Sequence, residues 1–191
     1  MKKDIILCGV GGQGILSIAT VIGEAATKAG LNLKQAEVHG MSQRGGDVQS
    51  NLRLSNEPIW SDLIPQGAAD IIISMEPMEA LRYVPYLHKG SQIITASKPF
   101  VNIPKYPEES VIKAELESFP NVSILDVEEL AQKAGSARST NMVLLGAAAK
   151  HMELLSIDQI LNAVEVIFKA KGPEVVELNK KAVKLGYESQ N

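Results

Sequence analysis

The opening of the chain constrains the fold most. A short apolar run at residues 4–8 stops at Gly9-Val10-Gly11-Gly12-Gln13-Gly14, and helical spacing takes over at once. Ile15, Ile18, Ala19, Ile22, Ala25, Ala26 and Ala29 share one face of a helix over 13–29, and Gly30 supplies its stop. An apolar run without polar alternation reads as a strand buried on both faces, as in parallel sheets. The glycines satisfy G-x-G-x-x-G between a strand and a helix, where the pattern has mechanical meaning. Gly9 permits a tight turn, Gly11 lets backbone approach a ligand, and Gly14 lets the helix pack near the strand. Free N–H groups at the helix start favour an anion. Gly9, Gly11, Gly12, Gln13 and Gly14 are therefore candidate cofactor contacts. A glycine turn that only packs against protein fits the same pattern.

Further along, 33–38 reads as a second strand, completing the front of a βαβ unit. Residues 48–54 alternate like a strand with one wetter face, and 69–74 is another buried strand. A helix is predicted over 76–87, with Pro77 in its first turn and Pro85 ending it. Strand 91–96 precedes a connection at 99–107 carrying Pro99, Pro104 and Pro107. Helix 110–118, strand 122–126 and helix 127–134, stopped by Gly135, follow. The last third is helical: 142–155 behind caps at Ser139, Thr140 or Asn141, 157–169 behind a Ser156/Gln159 capping box, and 174–186 after Gly172-Pro173. This order predicts an α/β, Rossmann-like fold, a mostly parallel sheet with helices on both faces and a helical C-terminal third, in one domain over 1–191.

Composition narrows the function. Charged residues make up 21% and aromatic residues 4%, and 19 basic against 22 acidic residues give a net charge of −3. Nucleic-acid binders normally carry a basic excess, so no nucleic-acid partner is expected. No run approaches the length of a membrane helix, and the first residues do not read as a signal peptide, so a cytoplasmic chain without a membrane partner is expected. The one cysteine, Cys8, cannot by itself hold an iron–sulfur cluster. Ile15-Leu16 stands where a phosphate-binding P-loop needs Lys-Ser/Thr. Glu37 could be the ribose-binding acid of a dinucleotide fold, yet no Tyr-x-x-x-Lys follows and little chain remains for a substrate domain. His88 and His151 read as surface residues, and Trp60 as core or interface packing.

A second unusual stretch, Glu37-Val38-His39-Gly40-Met41-Ser42-Gln43-Arg44-Gly45-Gly46, ends the second predicted strand at the sheet edge that carries the glycine loop. Ligands bind at that edge in such folds. Arg44 could fork onto a carboxylate or phosphate, and His39 could titrate. Arg53 lies on the following strand, as an ion-paired or solvated side chain or as part of the same site.

GVGGQG together with EVHGMSQRGGDVQSNLR resembles the gamma-subunit family of 2-oxoacid:ferredoxin oxidoreductases, most of all the beta subunits of the indolepyruvate type. EPMEALRYVPYL (76–87) and NMVLLGAAAK (141–150) extend the resemblance across essentially the whole chain. It implies oxidative decarboxylation of a 2-oxoacid, indolepyruvate or another arylpyruvate, with CoA as co-substrate and ferredoxin as electron acceptor. Thiamine diphosphate, Mg2+ and [4Fe–4S] clusters are then expected on a large alpha subunit, because this chain lacks the Gly-Asp-Gly and the cysteines to hold them. No residue stands out as a catalytic acid or base. Gly11, Gly12 and Gln13 would contact ligand by backbone or amide. Arg44 would meet an anion, and Glu37 with His39 would orient a loop (Gly40, Met41, Gln43, Gly45, Gly46) facing substrate or forming the interface between subunits in a homo- or hetero-oligomer. Pyruvate or 2-oxoglutarate as substrate, an independent NAD-type nucleotide-binding protein and a purely structural subunit are the alternatives.

Overall fold

A computed structural model of the protein describes residues 1–39 and 45–190, with His39 by its backbone alone. Six strands form one sheet in the order β2-β3-β1-β4-β5-β6. They are β1 (Lys2–Val10), β2 (Asn32–His39), β3 (Asp47–Ser55), β4 (Ala69–Ser74), β5 (Leu87–Ala96) and β6 (Val122–Leu125). β1, β4, β5 and β6 pair in parallel. β3 runs antiparallel to both β1 and β2. Five of the six strands therefore point one way, and the mostly parallel sheet holds.

The βαβ reading of the first three elements holds in connection and direction, since β1 and β2 point the same way on either side of α1, but not in adjacency. β2 does not pair with β1, because β3 folds back from β2 as a hairpin and takes the place between them. The connection from His39 to Asp47 is too short for a crossover helix, so antiparallel return is the available geometry.

The helices are α1 (Ile15–Lys28), α2 (Pro77–Arg82), α3 (Glu109–Glu117), α4 (Val127–Ala134), α5 (Thr140–Ala149), α6 (Ile157–Phe168) and α7 (Pro173–Glu188). Alternate residues of the central strands feed two cores. Ile5, Leu7, Ile71 and Ile73 pack with α1 and the C-terminal helices α4 to α7. Ile6, Cys8 and Ile72 pack with Ala80, Tyr83, Ile112 and Leu116 of the α2–α3 side. Both faces of β1 are covered, which explains its apolar run Ile5–Cys8. Pro85 ends the predicted 76–87 helix early, leaving α2 and a 3-10 turn at Val84–Tyr86. The predicted 142–155 helix stops at Ala149, and Glu153 turns the chain at a φ of 53°. Trp60 is not in the core at all, being 93% exposed. His151 is half-buried, and its Nε2 is shut away from solvent without a partner.

α5 and α7 cross at backbone contact. A Cβ on Gly146 would lie 2.0 Å from the Val183 carbonyl oxygen, and one on Gly186 would lie 1.9 Å from that of Val143. Gly146→Ala must therefore push the helices apart. It should cost about 3 kcal/mol, the upper part of the overpacking range, and lower Tm by about 6–12 °C in a chain of this size. A thermal melt within 2 °C of wild type would show that the crossing is slack.

Candidate functional site

The sheet has a topological switch point between β1 and β4, where α1 leaves over one face and α2 over the other. Open α/β sheets bind ligands outside the carboxyl ends of strands at such a point. Here the glycine loop closes it. Gln13 turns its side chain inward: Oε1 accepts from the Val10 N–H at 2.7 Å, and Nε2 donates to the Met75 carbonyl at 3.2 Å. The carboxamide thus bridges the ends of β1 and β4, and as a ligand contact its amide is already engaged. Gly9 is required by this packing, since a Cβ there would meet Gln13 Oε1 and Ile15 Cδ1 at 2.8 Å each.

Gly14 serves a different neighbour from the one its sequence position suggests. It caps α1 at a φ of 83°, and a Cβ would lie 2.6 Å from Nδ2 of Asn141 on α5, not against a strand. Asn141 Nδ2 donates to the Gly14 carbonyl at 3.1 Å. Gly12 adopts a φ of 101° with open space around it, so its peptide forms the exposed tip of the loop. The Gly11 N–H donates to the Gly46 carbonyl at 2.8 Å, joining this loop to the base of the second one.

A cleft of about 700 Å3 extends from the loop toward the C-terminal helices. Gly12, Gln13, Gly14, Met75 and Ala96 line its strand side, and Ser139, Thr140 and Asn141 at the start of α5 face them. Neither α1 nor α5 has a side-chain bond from its N-cap residue, and both helix starts line the cleft, although at α5 the Met142 N–H already donates to Asn141 Oδ1 at 3.0 Å. Phe100, Val127, Phe168 and Leu178 give it apolar walls, and Lys98, Arg138 and Lys171 stand on its rim. Lys98 is neutralised by Glu128 at 2.8 Å and Asp126 at 3.4 Å. Lys171 lies 5.2 Å from the Phe168 ring centre. The arrangement suits an elongated ligand with an apolar part and an anionic part. Arg138, Lys171 and Asn141 carry no motif that marks them in the sequence, beyond the membership of Asn141 in NMVLLGAAAK.

Other predicted site residues fall elsewhere. Arg53 pairs in register with Asp4 and holds its fully buried carboxylate through Nε and Nη2 at 2.8 and 3.0 Å. Its Nη1 donates to the carbonyls of Ser61 and Leu63. Six residues of β3 separate it from Asp47 at the candidate edge, about 20 Å of strand. Arg53 is a structural ion pair, and its place in the site is corrected accordingly. Glu37 is exposed on the edge strand β2, two strands and about 10 Å from β1. With β3 intervening and Gln13 in the crevice, the acid and the pocket of a dinucleotide site do not come together. Gly45 and Gly46 sit at the shared edge. Gly40, Met41, Gln43, Arg44 and the side chain of His39 lie outside the described residues.

The described residues do not fit a metal or cluster. Cys8 is fully buried, its Sγ donates to the Glu79 carbonyl at 3.7 Å, and burial pushes its thiol far above the usual range. Among the described residues no three His, Cys, Asp or Glu side chains group for a metal. No helix among them is long and apolar enough to cross a membrane.

Gln13→Ala should raise hydrogen exchange at the Val10 amide by about tenfold, the loss of roughly one net hydrogen bond. Unchanged protection would mean that Gln13 does not tie the loop.

Residues 4–189 match the family described as pyruvate ferredoxin/flavodoxin oxidoreductase. The chain is 38% identical, over 98% of its length and 94% of the relative's, to the indolepyruvate oxidoreductase subunit IorB of Archaeoglobus fulgidus. It is 29% identical, over 98% of its length and 96% of the relative's, to the 2-oxoglutarate synthase subunit KorC of Methanothermobacter marburgensis. Its fold superposes with a TM-score of 0.75 and 22% identity on a chain of 2-oxoglutarate:ferredoxin oxidoreductase from Magnetococcus marinus, solved with 2-oxoglutarate, coenzyme A and succinyl-CoA bound. That match covers 99% of this chain and 31% of the other.

Proposed function

The chain belongs to the pyruvate ferredoxin/flavodoxin oxidoreductase family, and from that premise we propose that it is the small subunit of an indolepyruvate-type 2-oxoacid:ferredoxin oxidoreductase. Residues 1–191 act as one cytoplasmic domain that carries no redox cofactor. A large alpha subunit holds thiamine diphosphate, Mg2+ and [4Fe–4S] clusters. The assembled enzyme converts an arylpyruvate and CoA to acyl-CoA and CO2, and the electron pair released passes to ferredoxin. The isolated small subunit is inactive. The observation that carries the substrate class is the identity of 38% to an indolepyruvate oxidoreductase subunit against 29% to a 2-oxoglutarate synthase subunit.

Within that enzyme the carboxyl-edge cleft serves the CoA side. Arg138 and Lys171 meet phosphates, the N-termini of α1 and α5 add their positive ends, and the apolar walls take the remainder. The sheet edge faces the thiamine site of the large subunit and helps to close it from water, and the stretch from Glu37 to Gly46 contributes to the substrate or CoA side, with Arg44 as its anion contact.

Anaerobic, CoA-dependent viologen reduction should appear only when the chain is combined with its large subunit, with indolepyruvate preferred over pyruvate and 2-oxoglutarate. A cofactor-loaded pair that reduces no dye with any of the three would sink the assignment. In the active pair, Arg138→Ala should raise KM for CoA about tenfold, the scale of one charge-assisted hydrogen bond, and leave KM for indolepyruvate unchanged. An unaltered KM for CoA would place that ligand outside the cleft.

A further inference from the structure

Residues 97–108 cross the carboxyl edge of the sheet as a strap between β5 and α3. Open chain of this length is normally costly to order on binding. This strap is ordered beforehand, pinned at three places. Lys98 pairs with Glu128 and Asp126. The Phe100 N–H and the Tyr106 hydroxyl both donate to Oε1 of Glu76, a carboxylate only 1% exposed that also caps α2 through the Glu79 N–H. Asn102 Nδ2 donates to the Gly45 carbonyl at 2.7 Å. These polar groups turn toward the protein while the apolar side chains face out: Val101 is 67% exposed, Phe100 46% and Ile103 42%.

We infer that this strap is the docking element for the large subunit, with Val101 and Ile103 entering an apolar groove on it. The inference rests on the subunit reading above. Three observations select that occupant. Phe100 also lines the cleft, so a body that covers Val101 and Ile103 closes the cleft from water. The links Asn102–Gly45 and Gly46–Gly11 place the strap, the start of β3 and the glycine loop along one continuous edge, so that a single partner seated on the strap also meets the other two. The same fold accounts for only 31% of the matching chain from Magnetococcus marinus, where it lives beside a larger body of polypeptide. The competing apolar patch, Trp60 and Leu63, lies at the opposite end of β3, on a loop held by Arg53, and does not reach the cleft.

The test is the affinity of the small subunit for the cofactor-loaded large subunit, read by titration of reconstituted activity and by analytical ultracentrifugation. Val101→Glu should weaken assembly at least thirtyfold, the scale of an interface hot spot, with its own Tm within 2 °C of wild type. Tyr106→Phe, which releases one tether, should weaken it severalfold, with kcat recovered at saturating small subunit. Trp60→Ala should assemble as wild type does. Wild-type affinity in Val101→Glu, or loss of assembly in Trp60→Ala, would overturn the docking assignment while leaving the subunit reading in place. A wild-type chain that binds no large subunit would overturn both.

Discussion

One carboxamide holds the functional end of the molecule together. Gln13 ties the last turn of β1 to the end of β4 at the point where helices depart over opposite faces of the sheet. The position needs a donor and an acceptor on a single flat group. Leucine would leave a part-buried N–H unpaired at about 1–3 kcal/mol, and glutamate would lose the donor to Met75. Gly9 follows from Gln13 because the side chain occupies the space of a Cβ. The angle of α1 follows from Gly9 and Gly14, and the cleft follows from the angle of α1 against α5.

The same bridge separates this fold from the dinucleotide-binding proteins whose pattern it shares. In those, the crevice at the switch point receives the pyrophosphate and an acid on the neighbouring strand receives the ribose. Here the crevice holds an amide, and β3 displaces β2 and its Glu37 outward. The remaining space lies sideways, toward the start of α5, where Asn141 replaces ligand as the neighbour of Gly14.

Much of this was legible in the sequence because it is written in local chemistry. The strand at 69–74 and the helix at 127–134 are legible to the residue: one is built on the apolar run Ile71–Ile73, and the other sits between an Asp cap and a glycine stop. Strand direction was not legible for β3, since alternation reports burial and says nothing of polarity. The short connection before it was the usable cue, masked by its resemblance to a ligand loop. Arg53 was ambiguous because its partner, Asp4, lies 49 residues away. The cleft was half legible. Its glycine side is a motif, whereas Arg138 and Lys171 arrive only through the packing of α5 and α7, and the close approaches of Gly146 to Val183 and of Gly186 to Val143 that permit that packing join residues far apart in the chain.

The hairpin β2–β3 has an evolutionary consequence. β2 ends and β3 begins at the carboxyl edge, and the start of β3 is stitched through Gly45 and Gly46 to elements that belong to the rest of the fold. Insertions or deletions between His39 and Gly45 would therefore leave in place the register that buries Leu52 and Leu54. Sequence change between the two strands is in this way uncoupled from the sheet that they belong to.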